Sequence, residues 1–268
     1  MVRGDEWCRM SPMTEHNHEG TTVHLQNPKR DLSALYIPGA IIIAAIIIGG
    51  GLFFGLSSKG TGQAQGGTQP VANVDIKDVK TDGIPFIGNA NAPVTMAFWS
   101  DFQCPYCKAF ETGGIPQIPT PAAMPDLIKQ YVDTGKLKIV FKDYPFLGED
   151  STIAAEYGRA IWDLYPAQYF AWRTAMYEAQ DDEGDQGFGD AASIDALIKK
   201  SFPQMNASKI KSQVATKKSQ YDAAIQADQQ EGASMGVSGT PGFIVGKTLI
   251  SGAEQFARFK AVIDPLVK

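Results

Sequence analysis

The chain has 268 residues, with 24 Lys and Arg against 29 Asp and Glu, for a net charge of −5. This acidic balance offers nothing to a phosphate backbone, so nucleic-acid binding is not expected. No Gly-rich phosphate loop, Ser/His/Asp arrangement or internal repeat stands out.

Residues 1–35 are polar, mixed in charge and without periodicity, which predicts a disordered tail. Cys8 lies in that tail with His16, His18 and His24. Their irregular spacing fits incidental side chains of a solvated segment better than a metal site. Residues 36–56, from Tyr36 to Leu56, carry no charge. Their length matches the ~20 residues that span a bilayer, so a transmembrane anchor is predicted. All-round apolarity argues against a buried core helix. The long polar lead, with no clear small-residue cleavage site after the segment, argues against a cleaved signal peptide. The charge bias is weak, with Lys29 and Arg30 before the segment and Lys59 after it. Residues 57–75 open with a Gly/Ser/Gln/Thr-rich run and read as a flexible tether.

Residues 76–268 suit one domain. An apolar, strand-like run at 94–100 precedes Cys104-Pro105-Tyr106-Cys107, and Lys108-Ala109-Phe110-Glu111 can continue as helix. Two cysteines separated by two residues at a strand-to-helix junction form a thioredoxin-like redox signature. Both sulfurs fit on one helical turn, so a disulfide can close without large backbone movement. Cys104 falls near the helix N-terminus, where unpaired N–H groups and the dipole favour an anion. A thiolate there can have a pKa of roughly 3.5–7.5, against ~8.5 for a free cysteine. Cys104 is therefore the expected attacking thiolate and Cys107 the resolving thiol. Pro105 suits the first helical turn, having no N–H to lose. Zinc needs four ligands, and no second Cys-x-x-Cys or histidine follows residue 60, so no metal is expected. An inert structural disulfide is disfavoured because so short a ring barely constrains the unfolded chain.

Beyond this unit, Gly113 to Pro121 is broken by Pro116, Pro119 and Pro121, with Pro125 close behind. These prolines cannot share one helix interior, so a loop beside the cysteines is predicted. It either shapes a substrate groove or merely lengthens the surface. A strand follows at 136–142. Residues 151–236 then read as a helical insertion. Ser151 is the expected cap of a helix carrying Ile153, Tyr157, Ile161 and Leu164 on one face. Pro166 breaks and restarts it, with Phe170, Trp172 and Met176 as core, and Asp181 to Asp185 reads as loop. Further helices are predicted at 192–201 and 206–231. Near the C-terminus, Val237-Ser238-Gly239-Thr240-Pro241-Gly242 precedes two short apolar runs that flank Gly246, a plausible hairpin. A closing helix is predicted over 253–264, stopped by Pro265.

The segments from Phe98 to Cys107 and from Gly236 to Pro241 together resemble the two defining motifs of DsbA-like thiol:disulfide oxidoreductases. The likeness spans about residues 85–268. It implies an α/β, thioredoxin-like fold with an inserted α-helical subdomain, here preceded by a single transmembrane helix. It also implies a cis Pro241 beside Cys104, and a Thr240 that offers backbone hydrogen bonds to an extended substrate by strand addition. The Pro-rich loop departs from the pattern, interrupting what the family builds as a longer active-site helix. The resemblance points to reduced secreted proteins as substrates and to a membrane redox partner, either a quinone-linked oxidase or an electron-donating transporter. No cofactor is implied. An oxidising pair belongs outside the cytosol, which places residues 1–35 inside. The Pro105-Tyr106 dipeptide also resembles glutaredoxin-type sites, so oxidase, isomerase and reductase remain open. A non-catalytic, chaperone-like thiol-binding module is the reading from another class.

Overall fold

A 3-10 turn at Ile76–Asp78 leads into β1 (Phe86–Ile87) and β2 (Val94–Ser100). This computed structural model describes residues 74–181 and 187–267. The expected tail, the anchor at 36–56 and nearly all of the tether lie outside the described residues, as does Cys8. Among the described residues no helix is long and apolar enough to cross a membrane.

After β2 come α1 (Pro105–Glu111) and α2 (Met124–Leu127), which continues as a wider π turn at Ile128–Val132. Between them lies the loop that the prolines dictate, and Pro125 sits in the first turn of α2, where its missing N–H costs nothing. Then follow β3 (Leu137–Asp143), α3 (Glu149–Leu164), a 3-10 turn at Pro166–Gln168 and α4 (Tyr169–Ala179). The chain continues as α5 (Ala191–Ser201), α6 (Ala207–Ser234), β4 (Gly242–Val245), β5 (Thr248–Ser251) and α7 (Phe256–Ile263). Asp190 and Asn206 cap α5 and α6, each accepting a backbone N–H three residues on. Ser151 is not a cap. Helix α3 starts two residues earlier, after Gly148 at φ 115°, and Ser151 is buried in its first turn. The closing helix is shorter than expected, because residues 253–255 stay outside it and Asp264–Leu266 tightens into a 3-10 turn around Pro265.

The five strands are ordered β1-β3-β2-β4-β5. β2 and β3 are parallel, while β4 runs antiparallel to β2, with Phe98 opposite Phe243 and Trp99 opposite Gly242. That register places the start of β4 at the end of β2. Residues just before Gly242 and just after Ser100 therefore meet at one edge of the sheet.

Alternation along β2 divides the core. Met96 and Phe98 face a large cluster formed with α1, α7 and the helices between β3 and β4, while Ala97 and Trp99 face a smaller one with Val140, Val237 and Ile244. Phe110 anchors α1 to the sheet. Its ring lies 5.1 Å from Phe98, 4.6 Å from Phe243 and 5.3 Å from Phe259. Burying one such side chain stabilises the fold by about 1.5–3 kcal/mol.

A buried ionic cluster docks α3 and α6 onto the end of β3. Lys142 Nζ lies 2.7 Å from both Asp228 and Glu231, and Arg159 Nε donates to Asp143 at 2.6 Å and also reaches Asp228.

Candidate active site

Strand β2 delivers Asp101 to the edge of the sheet, and the next residues turn into α1. Asp101 organises this turn. Its carboxylate accepts the N–H groups of Gln103 (2.8 Å), Phe146 (2.9 Å) and Leu147 (3.2 Å). Its carbonyl accepts the N–H of Cys104 at 3.2 Å. Burial nonetheless pushes its pKa up. Cys104 is the N-cap of α1, in extended conformation, and Pro105 occupies the first helical position. The Cys104 carbonyl accepts the N–H groups of Cys107 (3.0 Å) and Lys108 (3.1 Å), which closes the first turn.

Both cysteines are reduced and buried. They differ sharply in acidity. Cys104 is pulled down to about 7, first by a hydrogen bond from Cys107, then by the Thr240 side chain and the N–H groups of Cys107 and Tyr106, against desolvation. Cys107 is pushed well up, first by burial and then by its neighbour Cys104. One sulfur is poised to ionise near neutrality while the other holds its proton.

From the far end of the chain, the Thr240-Pro241 peptide is cis. The Thr240 carbonyl accepts the Cys104 Sγ–H at 3.4 Å. Cys104, Pro105, Tyr106, Cys107, Thr240 and Pro241 thus converge on one edge. Tyr106 stands 52 % exposed, in contrast to its neighbours.

Behind the cysteines lies a feature that the sequence reading missed. Arg173 of α4 is fully buried and donates to Glu111 Oε1 at 2.7 Å and to Ser100 Oγ at 2.8 Å. Its guanidinium sits 4.4 Å from the centre of the Phe141 ring and 5.0 Å from that of Phe98. Burial raises the pKa of Glu111, with Arg173 opposing that rise. The available signal was an arginine interrupting an otherwise apolar stretch, and a glutamate one turn after Cys107.

The Pro-rich loop flanks a recess beside the cysteines. Its volume is about 800 Å³, and its walls include Tyr106, Lys108, Ile115, Ile118, Gln180 and Asp181. Among the described residues, no group of three or more His, Cys, Asp or Glu side chains is arranged to hold a metal ion.

A sheet of this order with a reduced Cys-x-x-Cys at the end of its central strand defines a thioredoxin-like thiol:disulfide oxidoreductase, with α3 to α6 inserted between β3 and β4. The chain belongs to the family described as Thioredoxin, whose model matches residues 80–265. It is similar to the probable disulfide bond formation protein D of Bacillus anthracis, with 23% identity over 68% of this chain and 77% of the relative. It is likewise similar to the disulfide bond formation protein D of Bacillus subtilis, with 24% identity over 69% of this chain and 78% of the relative. The crystal structure of oxidised BdbD from Bacillus subtilis shares the fold at a TM-score of 0.60 and 23% identity, covering 70% of this chain and 95% of that one.

Proposed function

We propose that this chain is an extracytoplasmic, membrane-anchored dithiol oxidase that introduces disulfides into secreted or envelope proteins. Cys104 is the exchanging sulfur and Cys107 the buried partner. The observation that carries the exchange roles is geometric: Cys104 caps α1 with its Sγ 3.4 Å from the carbonyl of the cis Thr240-Pro241 peptide, while Cys107 is fully buried.

In the oxidised protein, a substrate thiolate attacks Cys104 Sγ, forming a substrate–Cys104 disulfide and breaking the Cys104–Cys107 bond. Cys107 leaves with the electron pair and takes up a proton. A second substrate thiolate then attacks the substrate sulfur of the mixed disulfide, and Cys104 leaves as a thiolate. The substrate loses two electrons, which the protein pair gains. A low-pKa leaving thiol speeds the second step, and a stabilised thiolate favours the reduced protein, so both act in the oxidising direction. The Thr240 carbonyl, freed once Cys104 loses its proton, is placed to accept a main-chain N–H from an extended substrate. The recess beside Tyr106 takes the flanking substrate segment. A quinone-linked membrane oxidase would return the pair to the disulfide. The names of the two Bacillus relatives support disulfide formation over reduction, and the uncharged segment at 36–56 supports the anchor.

The test is the equilibrium of the Cys104–Cys107 pair in glutathione buffers, in a Cys8→Ser background. A potential near about −120 mV is expected, whereas one near about −270 mV would assign a reductant fed by an electron-donating transporter. Cys107→Ser carrying glutathione on Cys104 as a mixed disulfide should exchange that glutathione, which leaves as a thiolate, for a reduced protein and hold the protein as a mixed disulfide, whereas Cys104→Ser treated in the same way should form none. Adducts on Cys107 instead would reverse the two roles.

A further inference from the structure

Helix α4 and its C-cap run a series of side-chain donors along the redox turn. Arg173, Tyr177 and Gln180 are spaced i, i+4 and i+7, so they share one helical face. Their partners follow in chain order. Arg173 Nη2 donates to Ser100 Oγ at 2.8 Å, and the Tyr177 hydroxyl donates to the Asp101 carbonyl at 3.2 Å. Gln180 Nε2 donates to the carbonyls of Phe102 at 2.7 Å and Cys104 at 3.2 Å. The inserted helices therefore grip the turn residue by residue up to the exchanging cysteine.

Gln180 occupies the decisive end of this series. It is buried, at 6 % exposed. Its own carbonyl accepts Lys108 Nζ at 2.7 Å, which ties it back to α1. The Cys104 carbonyl already accepts two N–H groups from the first turn of α1, and Gln180 adds a third donor from outside that helix. Without this amide, two carbonyl oxygens in the turn lose a buried donor. The Phe102 carbonyl then gains by turning toward another partner, while the Cys104 carbonyl keeps its two α1 donors and shifts only with the shared turn. A shift of the turn would also move the Cys104 sulfur relative to the Tyr106 and Cys107 N–H groups that help to lower its pKa.

We propose that Gln180 is a positioning residue for thiol–disulfide exchange, fixing the carbonyls of Phe102 and Cys104 so that the backbone N–H groups of the first helical turn stay aimed at Cys104 Sγ. The inference rests on Cys104 and Cys107 being the exchanging pair.

The experiment uses the full chain in a Cys8→Ser background, with Gln180→Met, similar in length but without a donor, and Gln180→Glu, similar in shape but a carboxylate when ionised. Three quantities are read: the pH dependence of Cys104 alkylation, the equilibrium constant with glutathione, and the urea midpoint. Gln180→Met should move the alkylation midpoint up by about one pH unit, lowering the rate at pH 6 about tenfold. The glutathione equilibrium should move about fivefold or more toward retained disulfide, because the reduced state loses thiolate stabilisation. Gln180→Glu should shift both in the same direction and further, and it decides the matter if Gln180→Met does not fold. A lowered urea midpoint with both thiol readouts within about twofold of wild type would overturn the proposal, leaving Gln180 as a brace without influence on the sulfur. Failure of the redox reading itself is separable, since it would appear as no reversible glutathione equilibrium in the protein with Gln180 intact.

Discussion

Cys104 Sγ and the Thr240 carbonyl lie 3.4 Å apart although 136 positions separate them. The meeting follows from sheet register. Pairing Trp99 with Gly242 fixes the end of β2 against the start of β4, so Cys104, four residues past β2, and Thr240, two before β4, share one edge. The contact ties the Cys104 sulfur to the segment before β4, while the N–H groups of Tyr106 and Cys107 at the start of α1 help to lower its pKa.

The acidity of Cys104 leads to a pH prediction. Its pKa is lowered to about 7, chiefly by the Cys107 thiol. Only the thiolate reacts, so alkylation of the reduced protein should rise about tenfold per pH unit below that value and flatten above it. Cys107, pushed up by burial, should stay unreactive throughout that range. Timed iodoacetamide labelling with peptide mapping measures both. A Cys104 profile still rising steeply at pH 8, like that of a free cysteine, would remove the basis for its leaving-group role.

Much of the site was legible in the sequence because its signals are local. A strand, two cysteines and a Pro at the first helical position dictate the redox turn within 14 residues, from Val94 to Cys107. The Thr240-Pro241 pairing with it was legible only through resemblance, since no local rule links positions so far apart. Glu111 and Arg173 left only faint traces, a glutamate one turn after Cys107 and an arginine in an apolar stretch, and Gln180 left none. Each reads as an ordinary polar residue on or beside a helix, and their roles arise from α4 crossing behind the turn. Ser151 misled for a related reason. A serine before an apolar face is a fair cap signal, yet Gly148 supplies the left-handed backbone that starts α3 earlier.

The Glu111–Arg173 pair gives a stability prediction. Both side chains are 1 % exposed, so removing one partner strands a charge in the core. Arg173→Met should cost about 3–5 kcal/mol. Replacing both, as Glu111→Leu with Arg173→Met, should recover most of that loss, because the surrounding rings of Phe98, Phe102 and Phe141 favour apolar neighbours. Urea unfolding of the two variants compares them directly. A double variant as unstable as the single one would mean that the loss comes from packing or from the Ser100 bond rather than from the unpaired carboxylate.

Gly232, inside α6, should resist replacement. Gly→Ala in a helix interior ordinarily gains about 1 kcal/mol. Here a Cβ would come within 2.8 Å of Trp99 Nε1 and 2.9 Å of its Cδ1. That ring is fully buried, and its N–H donates to the Asp228 carbonyl at 2.9 Å. It cannot yield without breaking the bond, and overpacking costs about 1–3 kcal/mol. Gly232→Ala should therefore lower the urea midpoint, with a changed Trp emission. A raised midpoint would show that α6 can slide along β2.

If the Pro-rich loop shapes a substrate groove, it should separate large from small substrates. Ile115 and Ile118 line the recess beside the exposed Tyr106, away from the sulfurs themselves. Substituting both with Asp should leave exchange with glutathione within about twofold, because Cys104 draws its acidity from Cys107, Thr240 and the backbone. Oxidation of a reduced, unfolded protein should lose about tenfold or more in kcat/KM, mostly through KM, since apolar contacts flanking the reacting cysteine bind substrate and transition state alike. Parallel assays with reduced glutathione and a reduced secreted protein read the difference. Equal losses on both would place the loop among the supports of the redox turn, and no loss on either would make it a surface extension.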